Sequence, residues 1–414
     1  MQNVDLAIVG GGPAGLAAAI KAKEAGLERI VLIERGEYLG GLLDQCIHNG
    51  FGLSYFEQDL TGPEYAQRFI DKASRLGIEC LLNSMVVRLF ADRRLVISNG
   101  KGISHLAAKA IVLSMGCRER TREALKISGS RPAGVLSAGR AQRYINVYGF
   151  IPGKKAVVLG SGDVGMIVAR RLALEGVEVS AVVEALPYLG GLIRNKVQCL
   201  DDFNIPLLLK HTITEIRGTE RLKGVTIAGV DALWNPIPGT QRELECDTLL
   251  ISAGLIPENE LSRMSGILLD PLTGGPSVTN TLETSVSGVF AAGNVLHVND
   301  LVDNVSNEGE KAGLNAANFV MGKSGGKTLN LRLKPANNVR CVVPQAVKTL
   351  EDVTLSLRVR EPAEKVRITV GGRVLKTLRA VRPGEMVKVL LSSQNLAELS
   401  SSCEETNVAC ESGG

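Results

Sequence analysis

The chain has 414 residues, 45% of them hydrophobic, with 46 glycines, one tryptophan and a formal charge of +4. That length exceeds one ordinary domain, so two or three are expected, and so small a charge, with no basic block, does not call for a nucleic-acid partner. Eight scattered cysteines with no C-x-x-C pair speak against a disulfide scaffold, a zinc site or an iron–sulfur site and suit a reducing cytoplasm, and no apolar run reaches the roughly 18 residues of a membrane span.

The first element is LAIVGGGPAGLAAAIKAKEAG at 6–26. Its apolar opening suits a strand buried on both faces, so the apolar run reads as a strand and not as a signal peptide. Gly10 permits a tight turn, Gly12 lets a pyrophosphate approach the backbone, and Gly15 lets the following helix pack close to the strand. Pro13 and Ala14 stand where that helix begins, and its unpaired N–H groups favour phosphate. A second strand, RIVLIE at 29–34, ends at Glu34, 19 residues after Gly15, as suits a carboxylate that accepts bonds from ribose hydroxyls. Arg35 follows it, and then YLGGL at 38–42, which contains Gly41 and Leu42. The whole fingerprint recurs 150 residues later without a gap: Gly160, Gly162, Gly165, Glu184 and YLGGL at 188–192.

GGGPAG with LIERGEYLGG resembles the FAD site of the two-dinucleotide-binding-domain flavoproteins, the pyridine nucleotide–disulfide oxidoreductase superfamily. The resemblance implies that the stretch after the glycine pair lines the flavin. Disulfide reductases of that superfamily carry two cysteines there, spaced C-x4-C, whereas LLDQCIHNGFG at 42–52 has only Cys46. A dithiol relay is therefore not expected.

Thr61 with Glu64 forms a T-x-x-E capping box, Pro63 sits in the first turn, and Gly77 ends the helix. Short β segments are expected at 78–82, 85–90 and 94–98, with Asn99-Gly100 as a hairpin turn. KAIVLSMGCRER at 109–120 is a buried strand reaching Gly116, and DTLLISAGLIPE at 247–258 has the same form. By resemblance these are the two crossings between an FAD domain, 1–116 with 248–326, and an inserted NAD(H) domain, 117–247. No arginine follows Glu184 where a 2′-phosphate needs one, so NAD(H) is preferred to NADP(H). The second site either binds that nucleotide or persists for structure alone, and Asp163 within its glycine turn has to point away from a pyrophosphate.

TSVSGVFAAGNVLHVNDLVDNVSNEGEKAGLNAANFVMG at 284–322 resembles the superfamily's second FAD motif, with Gly293 followed by Asn294 in place of the usual aspartate. An amide still bonds a ribityl hydroxyl, without charge. The helix expected after Val305 directs its dipole at the flavin's pyrimidine edge. Alternating runs at 354–360, 366–378 and 385–391 indicate a small β-rich domain over 327–392, and the Ser-, Glu- and Asn-rich tail at 393–414 is expected to be mobile.

The expected fold is therefore α/β, with two Rossmann-like domains arranged as in glutathione reductase and a small C-terminal β-rich domain. Cys46, His48 and His297 are the candidate catalytic groups beside the flavin motifs; packing or hydrogen bonding to the ribityl chain is the alternative for each. No metal site is expected. GGLLDQCIHNGFG, SMGCRERTR, SGSRPAGVLSAGRAQ, AAGNVLHVNDLVDNVSNEGE and RPGEM at 382–386 resemble the branch that holds opine oxidase and hydrogen cyanide synthase alpha-type subunits and flavoproteins accompanying anaerobic glycerol-3-phosphate dehydrogenases. That likeness implies a cytoplasmic FAD oxidoreductase passing electrons among NAD(H), FAD and a small-molecule substrate or partner dehydrogenase subunit in a hetero-oligomer. The alternatives are a flavin-dependent amine or amino-acid dehydrogenase subunit, or a non-catalytic subunit that holds FAD.

Overall fold

A computed structural model describes residues 2–323 and 328–413. The chain forms two compact units, Met1–Cys117 with Pro257–Gly414, and Arg118–Ile256. Each copy of the fingerprint becomes strand, helix and strand: β1 (Gln2–Val9), α1 (Pro13–Glu24) and β2 (Ile30–Ile33) in the first, joined by β3 (Gly102–Leu113). In the second they are β4 (Lys155–Leu159), α2 (Asp163–Leu174) and β5 (Glu178–Glu184), joined by β6 (Thr248–Ile251).

The first unit's main sheet runs Glu79–Leu81, β2, β1, β3, Arg94–Asn99, Met85–Leu89. Its first four strands are parallel, and Leu6–Val9 of β1, all of β2 and the end of β3 are apolar and buried, as a sheet with both faces packed demands. The first half of β3 turns back antiparallel on Arg94–Asn99 through the expected Asn99-Gly100 hairpin. Beyond it the short β7 (Val289–Ala291) adds in parallel to the end of β3. The helix Gly62–Arg75 starts at Thr61 with both bonds of the capping box formed.

Helix α3 (Val302–Val320) starts at Val302, before the expected Val305, and lies along α1. The approach is close enough that a Cβ on Gly309 would stand 2.2 Å from the Ala14 carbonyl oxygen, and one on Gly313 2.1 Å from that of Ala18. Glycines one turn apart facing alanines one turn apart let the two backbones meet. This contact fixes the N-terminal ends of α1 and α3 beside Gly293, whose own Cβ would fall 2.9 Å from the Ala14 side chain.

The second unit repeats the order, with Leu207–Leu209, β5, β4, β6 and Val135–Ser137 in one parallel sheet. A second sheet of Ser128–Gly129, His211–Gly218, Leu222–Gly229 and Arg242–Glu245 completes it. One expected boundary moves. Residues 248–251, expected in the FAD domain, form β6, which pairs with β4 from Ala156↔Thr248 to Leu159↔Ile251 and so belongs to the second unit. It stands to β4 as β3 stands to β1.

The C-terminal strands form a five-stranded sheet, in the order Ala346–Thr349, Thr328–Asn337, β8 (Glu405–Ser412), Ala363–Val370, Arg373–Val381. A three-stranded sheet of Val339–Val343, Val353–Val359 and Val387–Leu391 shares one apolar core with it. The expected domain start at 326/327 lies outside the described residues. The tail expected to be mobile is built in: Ser392 caps a helix over Ser393–Ser402, and β8 sits between two other strands, parallel to one and antiparallel to the other. Its alternation buries Thr406, Val408 and Cys410, a period-2 pattern that outweighs the polar composition.

Candidate functional site

The two glycine turns are built alike. Gly10 has φ +107°, and a Cβ there would stand 2.5 Å from the Ser114 carbonyl oxygen; Gly160 has φ +103° and the same relation to Ser252 at 2.2 Å. Ser114 and Ser252 follow β3 and β6, so the L-S-M-G and I-S-A-G segments are equivalent closures, each on its own unit's turn. Ser114 Oγ donates to the carbonyls of Val9 and Gly10 at 2.9 and 3.0 Å.

In the first turn Gly12 precedes α1 with no side-chain cap, and no acidic residue stands in the first turn of that helix. The N–H groups of Ala14 and Gly15 therefore face the cleft with the helix dipole behind them, while Pro13 at the helix start has none to offer. Glu34 at the end of β2 accepts Gly11 N and Gly36 N, both at 2.7 Å, one on each carboxylate oxygen. A carboxylate has about four acceptor sites, so it retains capacity for ribose hydroxyls. Gly41 packs on Gly12, where a Cβ would be 3.1 Å from the Gly12 Cα, and Arg35 is exposed. Tyr38 and Leu42, in the loop that packs on this turn, are 73% and 61% exposed. Uncapped amides, an acid at the strand end and an apolar wall together fit FAD.

The stretch from 46 to 55 is held by a residue outside the sequence motifs. Asp303, buried in the first turn of α3, accepts Gly52 N at 3.0 Å, Ser54 N at 2.8 Å, Ser54 Oγ at 2.7 Å and Tyr55 N at 3.2 Å. Its charge is thus spread over four donors, and α3 is tied to the loop that follows Cys46. Asp303 caps nothing in its own helix, so no local sequence pattern marked it.

Cys46 donates weakly to the Leu42 carbonyl at 3.3 Å. Burial, helped by the Asp44 carboxylate, pushes its thiol up to about 12, so it is protonated at neutral pH. The position five residues on is Phe51, whose ring lies 5.0 Å from that of His48. His48 Nδ1 is 2.9 Å from the Asn49 carbonyl oxygen, which only a protonated Nδ1 can satisfy; the neutral ring then carries its basic lone pair on Nε2.

Gly293, at φ +76°, donates its amide to Glu308 Oε2 at 2.9 Å, and His297 Nε2 meets Glu308 Oε1 at 2.6 Å. His297 is 4% exposed, so one α3 carboxylate gathers both ends of the 293–297 turn and His297 serves to hold it. Asn294 spends its carbonyl on Asn299 N at 2.9 Å and points its amide at Cys117 Sγ, 3.7 Å away. Gly116, at φ +73°, leaves the space beside it open. The C-terminal sheets reach this same segment, with Arg358 donating to the Val298 carbonyl at 3.1 Å and Met386 N to Asp300 at 2.9 Å.

In the second unit Glu184 repeats the geometry of Glu34. Its Oε2 accepts Ser161 N at 2.8 Å and Ser161 Oγ at 2.7 Å, and its Oε1 accepts Leu186 N at 2.9 Å. A Cβ on Gly162 would meet nothing closer than 4.0 Å, while Gly165 lies against the Gly160 carbonyl and Ser252. The open Gly162 and the acid at the end of β5 fit an adenine dinucleotide. Asp163, in the first turn of α2, accepts Leu192 N at 2.8 Å and Asn195 Nδ2 at 2.6 Å on its Oδ1. Among the described residues no group of three or more His, Cys, Asp or Glu could hold a metal ion, and no helix is long and apolar enough to cross a membrane.

The family model described as pyridine nucleotide-disulphide oxidoreductase matches residues 4–309. Hydrogen cyanide synthase subunit HcnB of Pseudomonas protegens is 31% identical over 290 residues, 64% of this chain and 60% of that protein. An opine oxidase subunit of Agrobacterium tumefaciens is 22% identical over 307 residues, 70% of this chain and 60% of that protein. The chain thus spans 60% of the length of each of these curated relatives. Among solved structures, thioredoxin reductase of T. acidophilum superposes with a TM-score of 0.63 at 24% identity, over 78% of this chain and all of that one, a likeness of fold.

Proposed function

Because this chain belongs to the pyridine nucleotide-disulphide oxidoreductase family, whose members bind FAD and NAD(P)H, we propose that it carries electrons between NAD(H), FAD and a partner dehydrogenase or acceptor. The observation that carries this reading is the doubled cleft: one glycine turn with its acid in each unit, Glu34 in the first and Glu184 in the second, both strand-end carboxylates in the same hydrogen-bonded posture. FAD, when bound, supplies the capacity to accept a hydride and release electrons singly or in pairs. The first unit's part is to hold it through Gly12, Ala14, Gly15 and Glu34 and to order the 46–55 and 293–299 segments through Asp303 and Glu308. His48, beside Phe51 in the stretch after Cys46, is the group assigned to the proton that accompanies hydride. Disulfide reduction is not part of the reading, since Cys46 has no partner thiol in its stretch and keeps its own proton.

A partner subunit is inferred because relatives of this chain are named as subunits, of hydrogen cyanide synthase and of opine oxidase. A dehydrogenase acting on glycerol 3-phosphate is the partner that the branch resemblance offers, and direct oxidation of a small amine or amino acid is the second reading, favoured by the opine oxidase likeness. Anaerobic mixing of the FAD-loaded protein with single donors separates them. Loss of the flavin's visible absorbance with NADH supports the first reading; loss with glycine, proline or an opine but not NADH supports the second. No loss with any donor would leave a protein that only holds FAD.

A further inference from the structure

Between Ala138 and Lys155 the chain has no acidic residue, yet it has Arg140, Arg143, Lys154 and Lys155. The helix Ala138–Asn146 buries Ala138, Ala141, Gln142 and Ile145. Its other face carries Arg140, Arg143, Tyr144 and, just past the helix end, Val147, the spacing of a single stripe. The Arg140 guanidinium lies over the Tyr144 ring and donates to its hydroxyl at 3.2 Å, and Arg143 does the same with Tyr148 at 3.1 Å. Among the described residues neither arginine has a carboxylate partner.

Beyond the helix the loop is ordered by its own main chain. Tyr148 N donates to the Arg143 carbonyl at 3.3 Å and Phe150 N to the Tyr144 carbonyl at 2.8 Å, with Gly149 at φ +70° in the turn. This ordered loop nonetheless leaves Val147, Tyr148, Phe150 and Ile151 exposed by 47, 49, 67 and 51%. Contiguous apolar groups held outward in this way mark a surface that meets a protein or a membrane.

The acids close to it in the fold are already committed. Glu119 accepts Gly139 N at 2.7 Å, Glu178 pairs with Lys155 at 3.0 Å, and Asp247 accepts the amides of Lys154 and Lys155 at 2.9 to 3.1 Å. Arg140, Arg143 and the exposed Lys154 are left to set the sign of the patch. A second copy docked here about a twofold axis would set these cations against the same cations. A protein partner would need a cup shaped to the loop, whereas an anionic bilayer accepts any outward apolar side chains that stand beside cations.

We propose that this face rests on an anionic lipid bilayer, with Phe150 and Ile151 entering the headgroup layer and Arg140, Arg143 and Lys154 meeting lipid phosphates. The association is peripheral, since among the described residues no helix is long and apolar enough to cross a membrane. It does not depend on which dinucleotides the two clefts hold.

Co-sedimentation of the full-length, FAD-loaded protein with lipid vesicles tests it. At low ionic strength, vesicles with about one-third phosphatidylglycerol should bind about tenfold or more tightly than phosphatidylcholine alone, each cation adding about fivefold at most. Added salt should shrink that preference by screening. Arg140→Gln with Arg143→Gln should remove most of it, and Phe150→Asp with Ile151→Asp should abolish binding, both with FAD content and thermal midpoint unchanged. Phe150→Trp should add an emission that moves to the blue on the anionic vesicles, while the parent's emission, from Trp234 alone, stays in place. No binding to the anionic vesicles overturns the proposal and leaves the face to a protein. That protein is a second copy if sedimentation shows dimers that Phe150→Asp removes, and a different chain if it does not. Binding that survives Phe150→Asp with Ile151→Asp, or that shifts the parent's Trp234 emission, also overturns it.

Discussion

The hydroxyl of Ser161 donates to Glu184 Oε2 at 2.7 Å, while at the matching place in the first copy Gly11 offers Glu34 only its main-chain amide, also at 2.7 Å. The two acids hold the same posture by different means, and they are assigned different ligands. Glu34→Ala should yield protein with little FAD, and Glu184→Ala should retain FAD but bind NADH about ten- to a hundredfold more weakly, the worth of one or two charge-assisted hydrogen bonds. FAD absorbance per chain and NADH titration give the two readouts. Loss of FAD from the Glu184 variant would contradict the assignment.

The close approach of α1 and α3 leaves no room for side chains at Gly309 and Gly313. Gly309→Val should destabilise the first unit by about 3 kcal/mol or more, since overpacking of this kind costs 1–3 kcal/mol and here the clash is with backbone. Because α3 also carries Asp303 and Glu308, FAD retention should fall with it. Thermal unfolding with and without added FAD checks this, and an unchanged midpoint would show that the helices are free to part.

Cys46 is a protonated thiol, pushed up to about 12 chiefly by burial. Reaction with iodoacetamide should stay slow from pH 6 to 9, since the thiolate, not the thiol, attacks. Cys46→Ser should change the rate of flavin reduction by NADH less than about twofold, within what a conservative swap does. Rapid labelling, or a loss of reduction in the serine variant, would return Cys46 to the chemistry.

Two buried thiols of the second unit make a pH dependence. Burial pushes Cys246 up to about 12 and Cys199 up to about 11, from an ordinary value of 9.0. Above pH 9 the unfolded chain releases these protons while the folded chain keeps them, so stability is fully present below that pH and declines as pH rises toward 11. The slope is at most about 1.4 kcal/mol per pH unit for each thiol. Urea unfolding between pH 8 and 10.5 should show the decline, and Cys199→Ala with Cys246→Ala should lessen it, leaving the part that Cys46 and Cys341 supply.

Much of both clefts was readable from residue types, because a glycine turn between buried strands and an acid at the next strand end is a local pattern. Glu34 and Glu184 stand where that spacing puts them. What escaped was pairing. D-T-L-L-I-S-A-G and K-A-I-V-L-S-M-G look alike, and only the ladder from Ala156↔Thr248 onward shows which sheet the former joins. The tail escaped because its polar composition hid the alternation at Thr406, Val408 and Cys410. The bonds of Asp303 and Glu308 span from 9 to more than 200 residues of sequence, and folding alone decides which amides an acid will meet.

If two unequal dinucleotide sites cooperate, one with resident FAD and one with exchangeable NADH, electrons must pass from the second ligand to the first. Anaerobic stopped-flow mixing of the FAD-loaded protein with increasing NADH decides whether they do. The flavin's visible absorbance should fall at a rate that saturates with NADH, and Glu184→Ala should raise the half-saturating concentration. A flavin spectrum unchanged at every NADH concentration, with FAD still bound, would rule out the coupling of the two sites.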